Sequence, residues 1–503
     1  MSVQPPADID RPDPVDHPGR SDGFVRGLAE AIGGPLGEHA VGVDRASARW
    51  NSDRFWTAAR IVLALTCLTL ALHWVQKSPC MDGAWQDNIQ YKRFCYTDVL
   101  ALYYAEGLNE GKVPYLDHPV EYPVLTGVFM GVIGLPVHAL AQSQPTVNEG
   151  MWAYNLNALV LCVIGVASAA ALLSLRRRRP WDVAMFALSP ALFVTATVNW
   201  DLLAIGFAVF GLWAWARRRP EIAGILLGLG TAAKLWPGFL FVALIFLGLR
   251  ARRLRPVIIS VVAGVLAFGL VNLPVMWANY DNWHRFIELN RSRGVDWGTL
   301  WYIGVHFPHF NGEYGLEPFV RLGERIPTLN NVTYLLIGMS WLAIGGLVLG
   351  ARRRPRLAQV AFLVVATFLI FNKVWSQQFV LWLLPLVLLA RPRWGAFLAW
   401  QAAELCYFAA FYGELMGAGG KPVFPEWVFV LASSLRLGTV VLLCVLVVRD
   451  ILRPERDAVR WTYPDDPDGG EFDGAEDPRW EGAADDPRAE ADWEADERLP
   501  ARA

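Results

Sequence analysis

Residues 221–249 read EIAGILLGLGTAAKLWPGFLFVALIFLGL, an almost unbroken apolar run with a single lysine near its middle. At 1.5 Å per helical residue the run would be ~43 Å long, about one and a half times the hydrocarbon core of a bilayer, so it suits neither one crossing nor two full ones. Arginines bracket it at residues 217–219 and 250–255, and such clusters mark the cytoplasmic edge of a membrane protein. A chain that leaves one side and returns to it crosses an even number of times. The run therefore reads as two half-length helices broken at Lys234-Leu235-Trp236-Pro237.

The same reasoning extends outward. Residues 357–390 lie between arginine clusters at 352–356 and 391–393 and are interrupted by Asn372-Lys373-Val374-Trp375-Ser376-Gln377-Gln378. Residues 181–216 have room for two short helices meeting at Asn199, Trp200 and Asp201. Full spans are expected at about 56–75, at two places between 256 and 351, and at 394–413 and 427–448. The runs are continuously apolar and lack strand-like alternation, which favours helices over a barrel, and 54% hydrophobic content is more than a soluble chain usually tolerates. The expected fold is an all-α polytopic bundle of about 12–13 helical segments over residues 51–455, with large outer loops at 76–122 and 277–330. One stretch conflicts with this scheme. Residues 123–175 hold two apolar runs where the charge pattern demands an odd number of crossings, so the run at 123–142 is read as re-entrant, with an outside location for the cluster at 176–179 as the alternative.

Residues 1–50, rich in Pro, Asp, Gly and Arg, read as a disordered cytoplasmic tail with a short amphipathic helix near 23–32. From Asp457 to Ala503 there are 16 acidic and 5 basic residues. Residues 456–503 accordingly read as a disordered acidic cytoplasmic tail beneath a basic membrane body. Four of the six cysteines lie in apolar runs, whereas Cys80 and Cys95 share the first outer loop, where an oxidising compartment would join them as a disulfide; two unpaired thiols are the alternative.

That loop carries Asp98 among Phe94, Tyr96, Tyr103 and Tyr104. A carboxylate held against aromatic neighbours is partly desolvated, which raises its pKa toward the range of a general base; a helix cap or a surface ion pair is the plain alternative. Lys234 and Lys373, two of only six lysines, sit at the breaks of two hairpins, where a charge is costly unless it faces a cavity or a partner. Together with Arg285 they are expected to hold a phosphate; snorkelling to the interface is the alternative. Glu121, Tyr122, Asn199, Asp201, Trp236, Gln377 and His306 complete the candidate site. No nucleotide-binding loop, nucleophile elbow or Cys/His metal cluster occurs. No cofactor is expected, although a divalent cation shared by Asp98 and Asp201 stays open, and nothing points to nucleic acid.

In order, Asp98, Glu121-Tyr122-Pro123, Asn199-Trp200-Asp201, the glycine-bearing run 223–229 leading into Lys234-Leu235-Trp236-Pro237, and the run from Asn372 to Pro385 resemble family 87 of the GT-C glycosyltransferases over about residues 55–450. Gln377 and Val124 stand where many relatives have proline. The resemblance implies a polyprenol-phosphate-mannose-dependent α-mannosyltransferase of the bacterial plasma membrane, with Asp98 as base, a lipid-linked donor and a lipid or glycan acceptor at the extracytoplasmic face. A transporter or flippase of a polyprenyl-linked sugar would use the same cations and aromatics without a base. A scaffold acting through the acidic tail is the third reading.

Overall fold

The computed structural model of the 503-residue chain describes residues 22–33 and 56–477. Among these the chain is helical, with no strands, and a short helix, α1 (Gly23–Gly33), precedes the bundle. Most of the expected N-terminal tail and residues 478–503 lie outside the described residues.

Among the described residues six helices are long and apolar enough to cross a membrane: α2 (Ala58–Lys77, continuing to Cys80), α4 (Val124–Ser143), α5 (Glu149–Leu175), α10 (Leu254–Ala278), α14 (Ile326–Gly350) and α18 (Glu426–Leu452). Helix α17 (Trp394–Ala418) pairs with α18. Six further apolar segments are shorter, and they form the three expected hairpins: residues 180–195, ending in α6 (Pro190–Thr195), with α7 (Asp201–Ala216); α8 (Pro220–Ala233) with a segment ending in α9 (Leu240–Arg250); and α15 (Leu357–Phe371) with a segment ending in α16 (Val380–Ala390). Segments of 14–16 residues reach ~21–24 Å, less than a bilayer core, and a recess lies above their apices. They are also the most enclosed elements: every residue of α16 is buried, which explains why the segment is apolar all round.

Local signals set the breaks. Ser189 caps α6 by accepting from Leu192 N, with Pro190 in the first turn. Helix α8 ends where Lys234 turns extended (φ −152°, ψ 142°), and the chain restarts at Trp236-Pro237. Helices α8 and α10 cross in close contact, since a Cβ on Gly224 would lie 2.0 Å from Ser260 O and one on Gly228 2.2 Å from Gly264 O.

Residues 123–175 form α4 and α5. In α4 the Thr126 hydroxyl donates to Ala233 O at 2.7 Å, Gly127, Gly131 and Gly134 pack on Tyr115, Pro114 and Leu108, and His138 lies 3.1 Å from Glu149 at the start of α5. Both ends of α4 thus meet the loop that carries Asp98. Only α5 then descends to Arg176, at the arginine-rich end.

The acidic segment departs from expectation. Residues 457–477 are not a free tail: they lie across the arginine-rich end as counter-ions. Asp468 binds Arg176 through both oxygens at 2.6 Å, Asp457 binds Arg356 at 2.7 and 2.9 Å, Asp465 binds Arg354 at 2.6 Å and Asp477 binds Arg250 at 2.6 Å. Phe472 is buried against Trp215, ring centroids 5.1 Å apart. Acidic composition suggested a solvated chain, but Arg176 and Arg356 are fully buried beneath the short hairpins and need carboxylates.

Candidate active site

The recess above the three apices is a cavity of ≈ 310 Å³. Four groups of elements wall it: the first loop (Tyr91, Tyr96, Asp98, Glu121, Tyr122), the hairpin apices (Lys234, Trp236, Ser376, Gln377, Gln378, Trp382), the second loop with α11 (Tyr280–Ser292), which adds Asn290, Arg293 and Asp296, and α17, which adds Phe411 and Leu415. The two loops are tied together by Asn282, whose amide donates to Tyr115 O at 2.9 Å.

Asp98 opens a short helix, α3 (Asp98–Ala105), capped by the Thr97 hydroxyl on Val99 N at 3.2 Å. Its own N–H donates to Val198 O at 2.7 Å, which fastens the first loop to the α6–α7 apex. Cys80 and Cys95 are joined as a disulfide just before it, their Cα atoms 5.7 Å apart. The Asp98 carboxylate accepts from Asn199 Nδ2 at 2.7 Å and from the Tyr96 hydroxyl. Burial holds the pKa of Asp98 above the usual carboxylate range, the neighbouring Asp201 adds to the rise, and the Asn199 and Tyr96 hydrogen bonds and the Lys234 charge oppose it.

Asn199 is the hinge of the polar floor. Its Oδ1 faces two donors, Lys234 Nζ at 3.2 Å and Trp200 N at 2.7 Å, and its Nδ2 faces the Asp98 carboxylate and the Tyr122 hydroxyl, so the network fixes which end is which. Lys234 also donates to both oxygens of Asp201 at 2.8 and 2.9 Å, and Trp382 Nε1 donates to Asp201 Oδ1 at 2.6 Å. The ammonium lies 5.4, 5.2 and 6.0 Å from the ring centroids of Tyr122, Phe379 and Trp382. Trp236 and Trp382 stack at 5.9 Å to make an aromatic wall. Glu121 has its pKa raised by burial and then by the charge of Asp98.

Of the residues singled out in the sequence, Asp98, Glu121, Tyr122, Lys234, Trp236 and Gln377 meet at the cavity, with Asn199 and Asp201 bonded directly beneath. Three do not join them. Lys373 turns its ammonium away to the carbonyls of Arg291, at 3.4 Å, and Arg293, where it caps the end of α11. Arg285 is exposed and 3.4 Å from Glu288 on its own helix. His306 stacks on Tyr302, centroids 4.1 Å apart, and lies 3.1 Å from Glu426, outside the cavity lining. Both Asp201 oxygens accept from Lys234. The cation that faces the cavity without an ion pair among the described residues is Arg293. In the sequence it was one of several arginines among tryptophans, and nothing but the bend after α11 distinguishes it.

The family model described as Glycosyltransferase family 87 matches residues 123–376. The matched span contains Asn199, Asp201, Lys234, Trp236 and Arg293; it begins directly after Glu121 and Tyr122, and Asp98 lies 25 residues before it. No curated protein matches the chain.

Proposed function

Because the chain belongs to glycosyltransferase family 87 and is a membrane glycosyltransferase, we propose that it transfers a sugar, with mannose as the expected one, from a polyprenyl-phosphate donor to a lipid or glycan acceptor, with inversion and with Asp98 as the base. The observation that carries this reading is a desolvated, hydrogen-bonded carboxylate and a guanidinium with no close ion pair among the described residues, on the walls of one recessed cavity. An acceptor hydroxyl gives its proton to Asp98 while its oxygen bonds to the anomeric carbon. The bond from that carbon to the phosphate oxygen breaks on the opposite face, and polyprenyl phosphate leaves as an anion. A phosphate departs without protonation, so a single carboxylate is sufficient where a glycosidase needs two.

Arg293 neutralises the departing phosphate. Lys234, already bonded to Asp201, acts through Asn199 to orient Asp98. Tyr122, Trp236 and Trp382 form the sugar wall, and Trp236 Nε1 and Gln377 Oε1 are buried there without a partner among the described residues, a cost that a bound polyol could offset. The Asp98 end is the extracytoplasmic one in a bacterial plasma membrane, with both chain termini in the cytoplasm. The arginine-rich opposite end and the disulfide beside Asp98 support this orientation.

The test incubates the purified full-length protein with a polyprenyl-phosphate mannose labelled in the sugar and an acceptor extract of cell-envelope lipids. An enzyme moves label into product and releases polyprenyl phosphate in equal amount. Label that crosses a vesicle membrane with the donor intact would make the protein a flippase and overturn the proposal.

A further inference from the structure

The side chains that wall the cavity from the α15–α16 apex belong to a loop that has left its helices inside the membrane. Carbonyls freed at that depth have no water to pair with, and leaving them unpaired costs several kcal/mol each. Two of them, on Trp375 and Ser376, are met by Arg436 from α18: Nη1 donates to Trp375 O at 2.9 Å and Nη2 to Ser376 O at 3.0 Å. Arg436 is fully buried, ~15 Å along α18 from its Glu426 end. Its guanidinium lies between the Trp375 and Tyr407 rings, 4.2 and 4.1 Å from their centroids. Nε lies 3.1 Å from Glu404 Oε2, an ion pair rather than a straight hydrogen bond, and Glu404 in turn accepts from Trp400 Nε1 at 2.9 Å.

We propose that Arg436 is a positioning residue of the active site: by clamping the backbone of Trp375 and Ser376 it holds the Ser376-Gln377-Gln378 side chains at the cavity wall, with Glu404 as its counter-ion. The inference rests on the cavity being the substrate site. Arginine is required here because only a planar fork can donate to two successive carbonyls while stacked between two rings. Lysine would keep the charge for Glu404 and lose the fork. The loop would then relax, and substrate contacts made through it would weaken more than the chemistry at Asp98, which stands on the first loop and is fastened to a different apex.

Arg436→Lys in the full-length protein, reconstituted in nanodiscs, is assayed in two ways: by hydrogen exchange along the chain, and by KM and kcat with polyprenyl-phosphate mannose. The expected result is faster exchange confined to residues 372–380, a KM raised about 10- to 100-fold and a kcat within about threefold. The double variant Arg436→Met with Glu404→Leu removes both charges without stranding either and is expected to loosen the same loop. Unchanged exchange at 372–380 in both variants, or faster exchange spread over the whole bundle with unchanged KM, overturns the clamp. Exchange is read without substrate, so inactivity of the wild type with this donor would count against the proposed reaction and not against Arg436.

Discussion

Asp468→Ala tests whether the acidic segment is part of the fold. The substitution removes two 2.6 Å hydrogen bonds from Arg176, whose side chain is fully buried. What remains to it is Leu389 O at 2.8 Å. Removing one partner of a buried, bidentate pair typically costs about 3–5 kcal/mol, because the stranded charge keeps its desolvation penalty. Asp468→Ala combined with Arg176→Met removes that penalty and should recover most of the loss, to within about 1 kcal/mol of the wild type. The assay is thermal unfolding of full-length protein in detergent, followed by loss of the monodisperse chromatographic peak. A single variant as stable as the wild type would show that residues 457–477 only rest on the surface.

Other consequences concern the site. Arg293→Gln should raise KM for the donor by about 10-fold or more with little change in melting temperature, since its side chain is exposed, whereas Arg285→Gln should leave KM unchanged; kinetics on both variants separate the two. Asp98 acts as a base only when ionised and its pKa is raised, so kcat/KM should climb as pH rises through that displaced value and then level off. Glu106, buried and bonded to the Glu121 N–H, has a pKa pushed up to about 7 from 4.5. Between those values the folded protein keeps a proton that the unfolded chain releases, so stability should fall as pH rises across that window, and Glu106→Gln should flatten the dependence of melting temperature on pH. Replacing Cys80 and Cys95 by serine frees a loop of 15 residues and should cost about 3 kcal/mol.

Much of this was legible in the sequence because charges inside apolar runs are conspicuous. Lys234 and Asp201 could be placed at apices by counting residues between arginine clusters, and all three short hairpins follow from the same arithmetic. Side-chain direction was not legible. Lys373 occupies the same kind of break as Lys234, yet its neighbours are the carbonyls at the end of α11, which a one-dimensional reading cannot bring near it. The role of Arg293 was hidden for the same reason. Residues 457–477 misled by composition: aspartate-rich sequence is usually solvated, and only the buried faces of Arg176, Arg250, Arg354 and Arg356 show what those carboxylates are for. Helix α4 has the length and apolarity of a crossing and packs along the first loop, which its glycine spacing hinted at without fixing.

The most direct measurement compares wild type and Asp98→Asn for sugar transfer from labelled polyprenyl-phosphate mannose, alongside binding of the same donor. Asparagine keeps the size of the side chain and a hydrogen bond toward Asn199 or Tyr96 while removing the proton acceptor. The account predicts donor affinity within about threefold of the wild type and transfer reduced by at least about 100-fold, the scale of a lost general base. Transfer retained by Asp98→Asn at close to the wild-type rate would contradict it.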